Sequence, residues 1–431
     1  MSFMAQEMAS PERGLGRSRR AIIVGAGPAG LALAILLRRA GWLPHVHEAR
    51  SEASLAGGAF LTLAPNGMNA LKVVGAAEEV AASGMVTRAI EILNGTGRRL
   101  ALIDQGDDLV RCGARSITIA RGRLAAHLLA RARAEGVELR FGAALTGIEQ
   151  AATGVTARFG DGSVATAELL AGCDGLRSAT RRLAFPDAPE PEFTGLVGTG
   201  GFVEDCPVAP TDGAMRMVFG RRGFFGCIKQ GDGPAYWFNS FPEDDPARWE
   251  APDPAALARH VRSLHAGDPA FVTAILDRVA PIDRCYPVYD IRSLPRWHTG
   301  RVVLVGDAAH AISPHAGQGA SLALEDAVVL AACLRAEPVP AAAFARYERL
   351  RRARVEAVVR LARRNGSRKR AQGPIGLFVR DLILPLLIPL GARAMRRVTA
   401  YRVDRESAEI RHDAELLVPQ ALAPLQQAIH R

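Results

Sequence analysis

The most restrictive stretch of this chain is Gly25-Ala26-Gly27-Pro28-Ala29-Gly30, because segments of different periodicity stand on either side of it. Residues 21–24 are a short apolar run of β character, and residues 31–39 continue with helical composition up to Gly41. Residues 43–48 predict a second strand, closing on Glu48, 18 positions beyond Gly30. Strand, glycine turn, helix and strand at this spacing make a βαβ unit whose first turn receives a dinucleotide. Gly25 permits the tight turn, Gly27 lets a pyrophosphate approach bare backbone, and Gly30 lets helix and strand pack closely. Ala26, Pro28 and Ala29 complete that turn, where unpaired amides and about half a unit of positive charge meet the phosphates. Glu48 is placed for adenosine ribose hydroxyls, which disfavours a 2′-phosphate there, and Arg50 is placed beside the adenine.

At 431 residues the chain calls for two or three packed units. Apolar spacing predicts a helix over 124–135 and a half-buried strand through Val137, Leu139 and Phe141. Residues 155–159, the turn Asp161-Gly162 and the run from Val164 read as a β-hairpin. Residues 190–282 change character, with more Pro and Gly and short β segments at 215–219 and 236–241. The first fold resumes with the strand 302–305 and a helix over 319–334 that is apolar on most faces. The expected class is α/β, a Rossmann-like dinucleotide-binding domain with an inserted sheet-containing substrate domain and C-terminal helices. The expected division gives the first domain 20–85, 107–189 and 283–345, substrate-domain strands 86–106, substrate domain 190–282 and a helical region 346–431.

Two further motifs follow in order. One is Cys173-Asp174-Gly175-Leu176-Arg177-Ser178-Ala179-Thr180-Arg181. The other is Gly306-Asp307-Ala308-Ala309-His310, then Pro314-His315-Ala316-Gly317-Gln318-Gly319-Ala320 and on to Asp326. Asp307, just after a buried strand, can accept hydrogen bonds from sugar-like hydroxyls, and Gly317, Gly319 and Ala320 leave room for a planar ring at a helix start. That helix end would stabilise negative charge gathering on such a ring. Ile119-Ala120-Arg121-Gly122-Arg123-Leu124 supplies an arginine at another helix start.

Together these motifs resemble those of the para-hydroxybenzoate hydroxylase type of flavoprotein monooxygenases, over roughly residues 20–350. The resemblance implies FAD as cofactor and NADPH or NADH as reductant. It implies addition of molecular oxygen at the flavin C4a position and passage of the distal oxygen of that hydroperoxide to an electron-rich carbon. It assigns Asp307 to the ribityl chain, Asp174 to the pyrophosphate and the path of the nicotinamide, and Arg121 to a flavin phosphate or the site rim. Residues 57–71 are similar to the family loop beside the flavin, although Leu55 and Ala56 stand where an arginine is common. His315, beside Pro314 and the glycine turn, is a candidate proton relay, and His310 reads as a packed, hydrogen-bonded residue. Met215, Met217, Phe224, Phe225, Tyr236 and Phe238 are candidates for an apolar substrate wall, with Arg216 for a phenolate or carboxylate. The expected substrate is a small aromatic or polyketide-like molecule. A flavoprotein epoxidase or prenyl-chain reductase of the same fold is the enzymatic alternative. A lipid-binding protein similar to Rab dissociation inhibitors is the non-enzymatic one.

Composition narrows the rest. The formal charge of +10 is almost wholly arginine, with lysine only at 72, 229 and 369. The arginines gather on a C-terminal helix without aromatic interleaving, which reads as a solvated face and not as a nucleic-acid surface. Six cysteines without a CxxC pair fit a reducing cytoplasm, and His45, His47 and Glu48 lack a further ligand for a metal. Arg19-Arg20 before an apolar run is only superficially like an export signal, and residues 1–18 read as a flexible tail. Residues 375–390 are apolar but broken by Arg380, Asp381, Pro385 and Pro389, so no membrane span is expected, and a packing or interface role, such as a homodimer, stays open. No GxSxG or HExxH motif supports a hydrolase.

Overall fold

The computed structural model describes residues 19–249, 252–279, 281–282, 284–367 and 373–410, so the expected N-terminal tail lies outside the described residues. The fold is α/β. Its centre is a six-stranded sheet in the order His298–Thr299, Val302–Leu304, Leu169–Gly172, Arg20–Val24, Leu43–Glu48, Glu138–Phe141. All but the two-residue edge strand run parallel. Parallel strands need both faces covered, and the first strand accordingly reads as an unbroken buried run after Arg20. One cover is the helix Pro28–Arg39, whose apolar side packs on the helix Gly319–Ala336. The latter is buried at every position from Ser321 to Leu334, as its all-round apolar sequence requires.

Parallel topology has a direct functional consequence. Gly25, Glu48, Cys173 and Gly306 each follow or end one of four adjacent strands, so all four lie along the carboxyl rim of the sheet. This rim is where open α/β sheets bind ligands. The Arg19-Arg20 pair is part of this body: Arg20 begins the first strand and the Arg19 guanidinium lies 4.0 Å from the Trp42 ring centre.

A seven-stranded sheet stands beside it, ordered Tyr286–Asp290, Glu192–Val203, Ala235–Pro242, Phe224–Lys229, Ala214–Phe219, Ala89–Asn94, Arg99–Asp104. Register puts Glu91, Arg216, Cys227 and Trp237 on one face and Ile92, Met217, Gly226 and Phe238 on the other. The first face is closed by the helices Pro254–Leu264 and Ala270–Leu276, which form an apolar core with Val218, Phe225 and Trp237. Near Ala89–Asn94 and Arg99–Asp104, the second face meets the helix Pro374–Thr399 through Leu384 and Ile388. A three-stranded sheet, Phe60–Leu63, Ser116–Ala120, Met85–Thr87, sets Phe60 against the aromatics of that second face.

Pro385 and Pro389 do not break the segment 375–390, which belongs to one helix, Pro374–Thr399. Pro385 leaves the carbonyl of Asp381 without its helical donor, and the Arg98 guanidinium reaches that oxygen at 3.4 Å. The arginines of the helix Pro340–Ser367 are not simply a solvated face either. Arg351 is fully buried between Glu325 and Asp326, because the neighbouring helix supplies both carboxylates.

Candidate active site

The glycine turn is fixed by contacts that only glycine allows. Gly25 has φ +104°, and a Cβ there would lie 2.5 Å from the Cys173 carbonyl oxygen. A Cβ on Gly30 would fall 1.9 Å from the Gly25 oxygen. Gly27 differs: it caps the helix in extended conformation and a Cβ there would meet nothing within 4 Å. The helix start therefore presents uncapped amides to open space, with Ala26, Pro28 and Ala29 around it. Glu48 closes one side: its carboxylate accepts from the Ala26 amide at 2.8 Å and from the Arg50 amide and guanidinium at 3.1 and 3.0 Å. It is buried, while Arg50 is exposed.

The second motif abuts the first turn, since the same hypothetical Cβ on Gly25 would lie 3.0 Å from Asp174 Cα. Both Asp174 oxygens are committed: one accepts from the Ser178 hydroxyl at 2.5 Å, the other from the Thr180 amide and hydroxyl at 2.8 and 3.0 Å. Asp174 thus shapes the turn, and its backbone faces the rim. Arg181, to which the sequence reading gave no separate role, is buried and donates to the carbonyls of Leu176 and Ala308 at 2.6 and 2.9 Å. It ties the second motif to the third.

In the third motif, Gly306 turns with φ +62° and its amide donates to Asp326 at 3.1 Å. The same Asp326 oxygen is 2.5 Å from His310 Nε2, and its other oxygen accepts from Arg351 at 2.8 Å. Glu325 accepts from Arg351, Arg354 and Asn66. His310 and Arg351 together hold the Asp326 carboxyl down to about 2 against the opposing effect of its burial. His310 is the packed, hydrogen-bonded residue expected. Asp307 is the opposite case: no hydrogen bond from the protein reaches its carboxylate among the described residues. It is open by surface area yet ringed by protein, and this restricted hydration raises its pKa against the pull of His310 and Arg121. A Cβ on Gly319 would lie 3.9 Å from Asp307 Oδ1. Gly317 has φ +61° with open space at its Cβ position, and the helix Gly319–Ala336, Ala320 included, starts without a side-chain cap.

Arg121 is exposed at the start of the helix Arg121–Ala134 and lies alongside Gly58, 3.7 Å from where its Cβ would be. Pro314 is exposed at the start of a single 3-10 turn. His315 presses its ring on the end of the helix Pro340–Ser367: a Cβ on Gly366 would sit 2.5 Å from its Cδ2.

Among the candidate wall residues, Met215, Met217, Phe224, Tyr236 and Phe238 share the second face of the seven-stranded sheet. Phe60 lies 5.1 Å from Tyr236 and 5.9 Å from Phe238 between ring centres, with Phe202 4.5 Å from Tyr236. Phe60 falls in the segment 57–71 that the sequence places beside the flavin but is not singled out there as a wall residue, and Phe202 is missed altogether. Arg216 and Phe225 are on the closed face, which corrects their placement. Arg216 pairs with Glu91 at 3.2 Å and lies 5.5 Å from the Phe271 ring centre. Neighbours in a strand point oppositely, so Arg216 could not share a wall with Met215 and Met217.

Open backbone at Gly27 and Gly317, two uncapped helix starts, an inward Glu48 and an unbonded Asp307 on one rim fit an extended dinucleotide carrying a planar ring. Residues 19–362 match the family model described as FAD binding domain. The chain is 35% identical over 362 residues to 3-amino-4-hydroxybenzoate 2-monooxygenase of Streptomyces cremeus, covering 81% of this chain and 87% of that one. It is 31% identical over 371 residues to aurachin C monooxygenase/isomerase of Stigmatella aurantiaca, covering 85% and 94%. Among solved structures, Klebsiella pneumoniae HpxO complexed with FAD and uric acid superposes with a TM-score of 0.75 at 27% identity, over 92% of this chain and 96% of that one.

Proposed function

This chain belongs to the FAD binding domain family, as an FAD-dependent aromatic monooxygenase, and from that premise we propose which residues serve the reaction and what substrate they accept. The substrate is a flat, largely apolar aromatic, held between the rim of the six-stranded sheet and the open face of the seven-stranded one. The observation that carries this reading is the cluster of Phe60, Phe202, Tyr236 and Phe238, which joins the loop after Gly58 to the uncovered face.

When bound, FAD takes electrons from NAD(P)H and activates molecular oxygen, one atom of which is transferred to the substrate. The residues hold, orient and shield. The amides at Gly27 to Gly30 receive the pyrophosphate, Glu48 the adenosine ribose and Asp307 the ribityl hydroxyls, with Arg50 beside the adenine and Arg121 offsetting negative charge near Asp307. The amides at Gly319 and Ala320 stabilise negative charge on a reduced ring. Phe60, Met217 and Phe238 exclude water and set the substrate plane. The division of labour assigns residues 20–85, 107–189 and 283–345 to the first unit and 86–106 and 190–282 to the second, with the boundary at 282/283 moved beyond 290 because the strand Tyr286–Asp290 pairs in the seven-stranded sheet. The setting is cytoplasmic, in keeping with free, mostly buried cysteines.

The test is NAD(P)H oxidation by the FAD-loaded protein under air with a panel of phenols and fused-ring aromatics. Stimulation by fused-ring phenols, with a product heavier by one oxygen, is the expected result. Stimulation only by small charged rings would overturn the apolar-substrate reading.

A further inference from the structure

The helix Pro374–Thr399 is oriented against the usual rule. It packs inward through Leu384, Ile388 and Ala392 and turns Val379, Leu382, Ile383, Leu386, Leu387 and Leu390 outward. The relative exposures of Leu382, Leu386 and Leu390 are 64%, 74% and 60%. The outward residues recur every three or four positions, so they form one stripe about 17 Å long at 1.5 Å per residue. The following turns of the same helix present Arg393, Arg396 and Arg397, all exposed, and none of the three has an ion pair among the described residues. The one acid on the stripe's flank, Asp381, is already paired with Arg380 at 2.9 Å. Val110 is 89% exposed on the short helix Asp108–Cys112, whose Asp108 feels the charge of Arg396.

We propose that this face docks the protein on an anionic lipid bilayer, lying in the plane of the interface with its leucines among the acyl chains and its arginines at the headgroup phosphates. The segment does not cross: no helix among the described residues is long and apolar enough to do so. An apolar stripe with cationic residues beside it is the pattern of an interfacial helix. A second copy of the chain fits less well. An antiparallel pair sets Arg393, Arg396 and Arg397 against a partner stripe with no free acid, and a parallel pair sets them against each other. A phosphate-bearing surface supplies the missing countercharge, and the net charge of +10 favours the approach.

Sedimentation of the full-length FAD-loaded protein with vesicles tests this directly, using equal parts phosphatidylcholine and phosphatidylglycerol against phosphatidylcholine alone. Binding to the mixed vesicles, weak binding to the neutral ones, and loss of binding with rising salt are expected. Replacing Leu382, Leu386 and Leu390 together with Gln lowers partitioning at least about tenfold, with flavin content and melting temperature unchanged because these side chains are exposed. Replacing Arg393, Arg396 and Arg397 with Gln lowers it about fivefold per arginine. No binding to mixed vesicles overturns the proposal, as does binding that the leucine replacements leave intact. A solution dimer that those replacements dissociate, without vesicle binding, assigns the face to a second copy and overturns it too.

Discussion

The rim of the six-stranded sheet and the open face of the seven-stranded sheet are specified in different ways. In the proposed function the rim recognises its ligand through backbone: Gly25 and Gly30 are glycine because any Cβ would strike the Cys173 or Gly25 carbonyl. On the open face the same proposal gives that part to ordinary apolar side chains, Phe60, Met217 and Phe238, that differ from core residues only in what covers them. A site built from strained or crowded backbone writes itself into sequence spacing, whereas one built from apolar surface does not.

The sharpest way to break this contrast is to add one methyl at two glycines. Gly25→Ala should abolish flavin retention and lower the melting temperature of the apoprotein, since φ +104° and a 2.5 Å contact strain it regardless of ligand. Gly27→Ala, with nothing within 4 Å, should leave apoprotein melting unchanged yet weaken FAD binding by about 100-fold in a fluorescence titration. Equal destabilisation by both would show that Gly27 is structural and not a ligand contact.

Next in size is the buried support behind the rim. Arg351→Ala removes the buried cation shared by Glu325 and Asp326, leaving Arg354 and Asn66 on one carboxylate and His310 and the Gly306 amide on the other, and should cost about 3 kcal/mol in denaturant unfolding. A loss below about 1 kcal/mol would mean those remaining partners suffice.

The two faces of the seven-stranded sheet sharpen the comparison further. Phe238→Ala should raise the substrate KM by about tenfold or more through lost apolar contact, while stability changes less. Arg216→Gln, on the closed face with Glu91 and Phe271, should lower stability by about 1 kcal/mol and leave KM alone. A KM effect from Arg216→Gln would return that residue to the substrate wall.

The effect at His47 is confined to acid pH: its ring stacks on Phe159 with ring centres 3.9 Å apart and neither ring nitrogen has a hydrogen bond among the described residues. Burial, with the nearby charges of His45 and Arg140, lowers its pKa from 6.5 to about 4. The unfolded chain therefore takes up the proton first. This contribution is intact above pH 6.5 and is lost as the pH falls from 6.5 towards 4. His47→Phe should flatten that part of the stability profile, and an unchanged slope would assign it to other groups.

These contrasts explain which parts were legible. The first βαβ unit, the turn at Asp161-Gly162 and the long apolar helix follow from spacing alone. Arg216 went wrong because composition placed it with Met215 and Met217, while strand register alternates their directions. Arg351 escaped because a charge run resembles a solvated face until its partners Glu325 and Asp326, on another helix, are brought beside it. Phe60 and Phe202 are far apart in sequence and meet only through the pairing of two sheets. The outward leucines of the helix Pro374–Thr399 carry no local signal of which side faces solvent.

The most direct test of the central claim, that this protein inserts oxygen into an aromatic ring, is the product mass from a turnover under ¹⁸O₂ with NAD(P)H and the best stimulating phenol. The account predicts one labelled oxygen per product molecule, formed in step with nicotinamide oxidised. Nicotinamide consumed with only labelled peroxide and unchanged phenol, for every aromatic that binds, would contradict it.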